Sequence, residues 1–331
     1  MQNESATTDH AAVPRVTVVV PCYNSLRWLP ETLDSIRAQT FADFEVVLVD
    51  DGGSDDLAGW ASGLGDPRLR VVRQANAGVS AARNRGVAEA RGELVAFCDS
   101  DDLWEAVTLE RLLDRFDEDP TVGLVYGWYD VIQGEGEPTG RVEAYDWEGE
   151  IWERLVTANA IPLSAAMLPR SVFESLGGFR VNRDRFPIDV EDWELWLRLA
   201  DGHRVSVVKE VLMHHRRHDD NSTSSSVDSL DSAYRHLLQT AFEDQPAERL
   251  ALRPLATARA EMLLGWHSLV DDEDAARALA YRRSAVRHLP ELRRGTEYWR
   301  LGAAATALRL TGPRGHHAVR SAARRVRRLL R

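Results

Sequence analysis

Short apolar runs, bounded by Pro, Gly and Asp, punctuate the first hundred residues of the chain. Residues 15–20 (RVTVVV) are continuously apolar or β-branched rather than alternating, which predicts a strand buried on both faces, with Pro21 ending it. Leu29, Leu33 and Ile36 then recur at helical spacing within 29–39. Residues 44–49 (FEVVLV) predict a second strand, stopped at Asp50-Asp51-Gly52-Gly53. A short helix, a strand at 69–72, a helix over about 78–90 and a strand at 93–97 follow, the last running into Cys98-Asp99-Ser100-Asp101-Asp102. This alternation predicts an α/β fold of βαβ units, with a mainly parallel central sheet flanked by helices. Right-handed crossovers place the C-terminal end of each such strand on one sheet edge, where all the unusual loops fall.

The pattern then loosens. Residues 124–211 read as mixed, with a strand near 124–129, an apolar patch at 161–168 and a helix at 192–200. Residues 221–226 (NSTSSS) form a polar hinge. From about Asp228 onward the periodicity is helical, interrupted at Pro246, Pro254, Pro290 and Gly312-Pro313. The expected organisation is a polar, disordered lead-in over 1–14, an α/β domain over 15–222 and a helical C-terminal region over 223–331.

Composition narrows the chemistry. With 331 residues, 44% hydrophobic and 28% charged, the chain suits a soluble protein of one large domain and an extension. A net charge of −11 argues against nucleic acid as a partner, since a basic face must replace phosphate counterions. Cys22 and Cys98 are too few for a disulfide scaffold or a Cys₄ zinc site. Lys209 is the single lysine and follows no glycine-rich loop, which removes P-loop nucleotidases. No run of 18 apolar residues occurs, and the N-terminus lacks the order of a signal peptide. The expected compartment is a reducing cytoplasm.

Asp99-Ser100-Asp101 sits just past a predicted buried strand. Two carboxylates at this spacing can share a hard divalent cation, and Mn²⁺ or Mg²⁺ would keep positions open for a diphosphate. The bare pattern is weak, and a solvated acidic turn is its alternative. Its company is more specific: Val18-Val-Val-Pro21-Cys22-Tyr23-Asn24, Val49-Asp50-Asp51-Gly52-Gly53-Ser54-Asp55, Asn76-Ala-Gly78-Val-Ser-Ala-Ala-Arg83-Asn84-Arg-Gly86, Phe97-Cys-Asp99-Ser100-Asp101-Asp102 and Glu191-Asp192-Trp193 occur in that order. Together they resemble the inverting, metal-dependent family 2 glycosyltransferases of GT-A fold, over about residues 15–222.

The resemblance implies roles. Pro21, Tyr23, Asn24 and Asp51 would line the donor pocket, Tyr23 with a stacking face and Asp51 as an acceptor for a pyrimidine edge. Arg83 would face the base or diphosphate, with an outward ion pair as its alternative. Asp99 and Ser100 would lie near the ribose, and Asp101 would be the metal ligand, helped by Asp99. Asp102 caps the following helix or holds the loop. His218 matches a histidine in the loop after the last sheet strand that closes over the diphosphate or ligates metal, with His214 and His215 as competing assignments. Residues 219–226 resemble a lid. Gly177-Gly178-Phe179 matches a structural turn, and Gly53 displaces Ser54 from its usual place. Asp192 would be the general base, a contribution of typically ~10²–10⁴-fold, with helix capping as its alternative. Glu191 and Trp193 would serve the acceptor side, Trp193 alternatively packing in the core. Cys22 and Cys98 are expected to be buried neighbours without a catalytic role.

The implied partners are a nucleotide-diphosphate sugar, UDP-linked by family, and a glycan, lipid-linked or small-molecule acceptor. Polysaccharide or cell-envelope synthesis is the expected context. Secondary metabolism, or a non-catalytic nucleotide-sugar-binding subunit, is the rival. The charge is also unevenly spread: residues 291–331 hold eleven Arg against Glu291 and Glu297. Over 313–331 an Ala-rich apolar stripe alternates with arginines, which fits either a helix packed on its neighbours or weak contact with an anionic membrane surface.

Overall fold

The structure, a computed structural model, describes residues 13–181, 190–218 and 226–329, the last of these by backbone alone beyond residue 312. The lead-in up to residue 12, the lid over 219–225 and the side-chain stripe over 313–331 therefore lie outside the described residues. In chain order the elements are β1 (Val16–Cys22), α1 (Leu29–Arg37), β2 (Phe44–Asp50), α2 (Leu57–Gly63), β3 (Leu69–Arg73), α3 (Val79–Ala88), β4 (Leu94–Phe97), β5 (Leu103–Trp104), α4 (Thr108–Glu118), β6 (Leu124–Gln133) and β7 (Glu137–Glu143). They continue with α5 (Trp152–Leu155), β8 (Ala166–Pro169), α6 (Arg170–Ser175), α7 (Glu191–Ala200), β9 (Val205–Arg217), α8 (Val227–Ala241), α9 (Ala247–Leu250), α10 (Arg253–Val270), α11 (Ala275–His288) and α12 (Thr296–Leu329).

The chain divides into two compact units: Met1–Gly149 with Ile161–Arg180 and His203–Asp219, and Glu150–Ala160 with Val181–Gly202 and Asp220–Arg331. The first unit holds a sheet of order β3-β2-β1-β4-β8-β6-β9-β5, with β7 added to β6. The strands β3, β2, β1 and β4 are parallel, as expected from the βαβ pattern. Beyond β4 the sheet is mixed: β8 runs antiparallel to both β4 and β6, whereas β6 and β9 are parallel.

Every residue of β1 and β2 is buried, which is why their sequences carry no polar alternation. One core cluster joins Val18, Val20, Leu48 and Ala96 of the sheet to Leu29, Leu33 and Ile36 of α1 and Leu109, Leu112 and Phe116 of α4. Burying one such side chain fully contributes about 1.5–3 kcal/mol. Pro21 does not end β1 as expected; it stays in register opposite Val49. Val19 O accepts from Cys98 N, so the missing N–H of Pro21, two residues on, faces the side where β4 has already finished. A proline is tolerated there because no ladder bond is lost.

In the second unit α10, α11 and α12 pack through Ala258, Met262, Leu269, Ala278, Ala285, Leu301, Ala305 and Leu308. Half of these are alanines, which favours close helix approach, and Leu and Met fill the remaining space. The expected interruptions are present as an early Pro254 in α10, a 3₁₀ turn at Pro290–Arg294 and a backbone break at Gly312, φ 67°, within α12.

Candidate active site

The loops that follow β1, β2 and β4 all leave the same edge of the parallel sheet, and β9 brings His218 to them. Asp51, buried at the end of β2, is the organiser of the first part. Its Oδ1 accepts from Gln74 Nε2 and Ala77 N, each at 2.8 Å, and its Oδ2 accepts from Gly78 N at 2.8 Å. Three of the roughly four acceptor positions of a carboxylate are thus used to hold the loop that opens α3. Gly78 caps α3 with φ 92°, a conformation that L side chains rarely adopt. Gly52 has φ 77°, and a Cβ there would meet Asn76 N at 2.7 Å. The Gly52-Gly53 pair is therefore a close crossing of two loops. Asn24, itself at φ 52°, accepts from both Ser54 N (2.7 Å) and Ser54 Oγ (3.0 Å). Ser54, displaced by the extra glycine, serves this inter-loop clasp. Beside it Tyr23 projects outward, 56% exposed, with a ring face open to a ligand.

The acidic loop after β4 is fixed from several directions. Asp99 N donates to Ser164 Oγ, and Thr32 Oγ1 donates to Ser100 O, both at 3.0 Å. Arg83, buried on α3, reaches Asp99 Oδ1 at 2.7 Å, and its guanidinium lies 5.5 Å from the centroid of the Phe179 ring. Asn84 grips the Phe179 backbone in both directions, accepting from its N–H and donating to its C=O. The Gly177-Gly178-Phe179 turn thus packs against α3, consistent with a structural role. Asp102, the most buried of the three aspartates, holds the loop rather than capping a helix: His215 Nδ1 and Arg216 N both donate to its Oδ1, at 3.1 Å. Burial opposes ionisation of both Asp102 and His215, but their pairing wins, lowering the Asp102 carboxyl and raising the His215 imidazole.

Asp101 is treated differently. Burial, with Asp102 and Asp99 close by, pushes its carboxyl up to about 7. Its Oδ2 lies 3.0 Å from His218 Nε2. An oxygen and an imidazole nitrogen facing one another, with surplus negative charge behind them, are donor types that a divalent cation such as Mn²⁺ accepts. Among the described residues no group of three or more His, Cys, Asp and Glu side chains is placed to enclose a metal. Asp101 and His218 are the two potential donors that this corner brings face to face.

Three residues that pattern reading did not single out build this corner. Trp28 stacks on His218 at 4.8 Å with 27° between the rings, and Arg216 lies 4.8 Å over the same indole. Arg216 is fully buried; it donates to Asp101 O, Gly134 O and Glu31 Oε2. Glu31 forms the far end of that ion pair at 2.7 Å. The polar run His214-His215-Arg216-Arg217-His218 at the end of β9 was the available signal for Arg216. Cys22 and Cys98 are buried and free, with burial raising both thiols.

In the second unit, Asp192 lies in the first turn of α7. The N-cap position itself is Val190, which makes no side-chain cap, and Asp192 stands two residues on with its carboxylate among the free N–H groups of the first turn. Its Oδ2 accepts from Asn159 Nδ2 at 3.1 Å and its Oδ1 from Trp193 N at 2.6 Å. Glu191 and Asp192 are half-buried beside the positive end of the helix dipole. Trp193 is 5% exposed, donates to Leu155 O and meets Tyr234 edge-on, which is core packing rather than an open stacking face.

Comparison with known proteins adds three observations. Residues 17–177 match the sequence profile of the family described as "Glycosyl transferase family 2". An uncharacterised glycosyltransferase of Nostoc sp. is 30% identical over 233 residues, 64% of this chain and 67% of that protein. Five other curated relatives are longer, and the matched part covers 22% to 35% of each. Among solved structures, S. aureus TarS 1–349 in complex with UDP-GlcNAc has a TM-score of 0.62 at 18% identity, over 90% of this chain and 92% of that one. The mannosyltransferase PcManGT of Pyrobaculum calidifontis, in complex with GDP-Man and Mn²⁺, has a TM-score of 0.55 at 22% identity, over 92% and 89%. These structural likenesses concern the fold.

Proposed function

The chain belongs to glycosyl transferase family 2 and has a GT-A fold with a helical C-terminal region, and from that premise we propose that it is an inverting enzyme. It moves a sugar from a UDP-sugar to an acceptor hydroxyl of a glycan or lipid-linked glycan. The observation that carries the reading is the convergence of the Asp51-held loop, the Arg83–Asp99 pair and the Asp101–His218 pair on one sheet edge.

Tyr23 offers its open ring to the base, and the remaining acceptor position of Asp51 takes a donor from the base edge. Pro21 and Asn24 shape the same pocket. Asp99 and Ser100 receive ribose hydroxyls, and Arg83 sets the position of the Asp99 carboxylate. Asp101 and His218 would hold a divalent cation, Mn²⁺ or Mg²⁺, which when bound supplies positive charge against the leaving diphosphate. In the displacement itself the acceptor oxygen forms a bond to the anomeric carbon as the bond to the diphosphate oxygen breaks. Asp192 takes the acceptor proton, and Glu191 binds neighbouring acceptor hydroxyls. The anomeric configuration inverts because the attack is a single in-line step.

A thermal-shift series with UDP, GDP and their sugars, with and without Mn²⁺, tests the donor site. A metal-dependent rise with uridine nucleotides is expected. No shift with any nucleotide would reject the reading.

A further inference from the structure

We infer that the exposed face of α12 between Trp299 and Leu310 is a docking surface for an anionic lipid membrane. Trp299 is 61% exposed and Leu310 is 81% exposed, the two largest exposures of large apolar side chains among the described residues of the helical unit. Ala303 and Thr306 between them are exposed as well. At 3.6 residues per turn these four positions share a stripe about 60° wide and about 16 Å long. Leu301, Ala305 and Leu308 lie on the opposite side and are buried in the helical core. The stripe therefore faces away from the packing that holds α12 in place.

Its borders are basic. Arg300 and Arg309, both exposed, lie about 100° and 80° to either side of Trp299 on the helix. Arg293 and Arg294 are exposed in the turn before it. Glu297, in the first turn of α12, is turned to Arg259 at 3.3 Å. Trp299 is fixed rather than loose: its Nε1 donates to Arg293 O at 2.7 Å and Arg282 lies 5.6 Å from its ring. The sequence from 313 to 331 adds seven arginines and no acid.

An indole held at a surface with an aliphatic neighbour and flanking guanidinium groups matches the water–lipid boundary. The ring and Leu310 enter the acyl edge while arginine stems lie along it and their heads meet phosphates. A second copy is the poorer occupant. Pairing two such stripes about a two-fold axis sets arginine flank against arginine flank, and the apolar area is far below the ~800 Å² per partner of a stable interface. The surface differs from the arginine-rich stretch after residue 313, since it supplies the aromatic anchor that stretch lacks. It is also independent of the glycosyl-transfer reading.

Flotation of the full chain with vesicles tests it. Vesicles of phosphatidylcholine alone are compared with vesicles containing about a third phosphatidylglycerol, at low and high salt. Binding is expected only to the anionic vesicles and is weakened by salt. Leu310→Ser and Trp299→Ser should each weaken partition about tenfold, Leu310→Ser with the melting temperature unchanged and both with any nucleotide-induced shift unchanged. Arg300→Gln with Arg309→Gln should remove most of the salt-sensitive part. Absence of anionic-vesicle binding, or wild-type partition by both Leu310→Ser and Trp299→Ser, would overturn the inference. Self-association that Leu310→Ser abolishes would assign the stripe to a second copy and overturn it equally.

Discussion

Asp101 Oδ2 and His218 Nε2 stand 3.0 Å apart although 117 residues separate them in the chain. The imidazole is backed by Trp28, and the carboxyl is lifted to about 7 by burial and by Asp102 and Asp99. Near neutral pH this pair therefore holds a proton that a cation bound there, as proposed, would have to displace. Mn²⁺ affinity, measured by calorimetry, is expected to fall by about tenfold per pH unit below 7 and to level off above about 8. Asp101→Asn should weaken binding and flatten that slope.

The same lifted carboxyl has a stability consequence of opposite sign to an ordinary ion-paired aspartate. Between the unfolded value of 3.8 and about 7 the folded protein binds more protons, so stability falls as pH rises through that window. In the presence of a chelator, Asp101→Asn should melt higher than wild type at pH 8 and no higher at pH 4, by differential scanning calorimetry. A variant that melts lower at both pH values would contradict the assigned cause.

Legibility in the sequence followed burial. The strands β1, β2 and β4 carried nearly continuous apolar runs because both faces are covered, and their terminal loops carried the aspartates. The strand β9 escaped notice because Lys209, Glu210, His214, His215, Arg216 and Arg217 break its apolar pattern. Among them His215 reaches Asp102, Arg216 reaches Asp101 and Glu31, and His214 reaches Asp130 and Glu105. The strand β7 is almost wholly exposed and leaves no hydrophobic signature at all. His218 was visible as a motif residue, but its support by Trp28 is a contact across 190 positions, which no local pattern encodes. Trp193 shows the converse: a plausible ring for a sugar by motif, it proves buried against Leu155 and Tyr234.

Asp51 holds three donors of the loop that opens α3. Asp51→Ala leaves them facing a partly buried gap, at about 1–3 kcal/mol for each donor that water cannot reach. A loss of about 2–4 kcal/mol in urea denaturation is expected, together with loss of the nucleotide-induced thermal shift. Gly78→Ala, at φ 92°, should cost about 1–3 kcal/mol through backbone strain and also weaken nucleotide binding.

Glu45, 1% exposed, accepts from Thr17 Oγ1 and from Arg91 N and Nε. Burial alone would raise its carboxyl, but the Arg91 and Thr17 hydrogen bonds hold it below its ordinary 4.5. Its stabilisation is complete above that unfolded value and is lost as pH falls through the lower folded one. Glu45→Gln should cost about 1–3 kcal/mol at pH 7 and much less at pH 3, by denaturation at each pH.

Asp192 is the residue on which the proposed chemistry turns. Incubation of wild type and Asp192→Asn with UDP-sugar, Mn²⁺ and a glycan acceptor, with the product anomer assigned by NMR, tests that chemistry most directly. Wild type should give the inverted glycoside. Asp192→Asn should lose at least about 10²-fold in transfer while keeping its nucleotide-induced thermal shift. Near-wild-type transfer by Asp192→Asn, or a product with retained configuration, would contradict the mechanism.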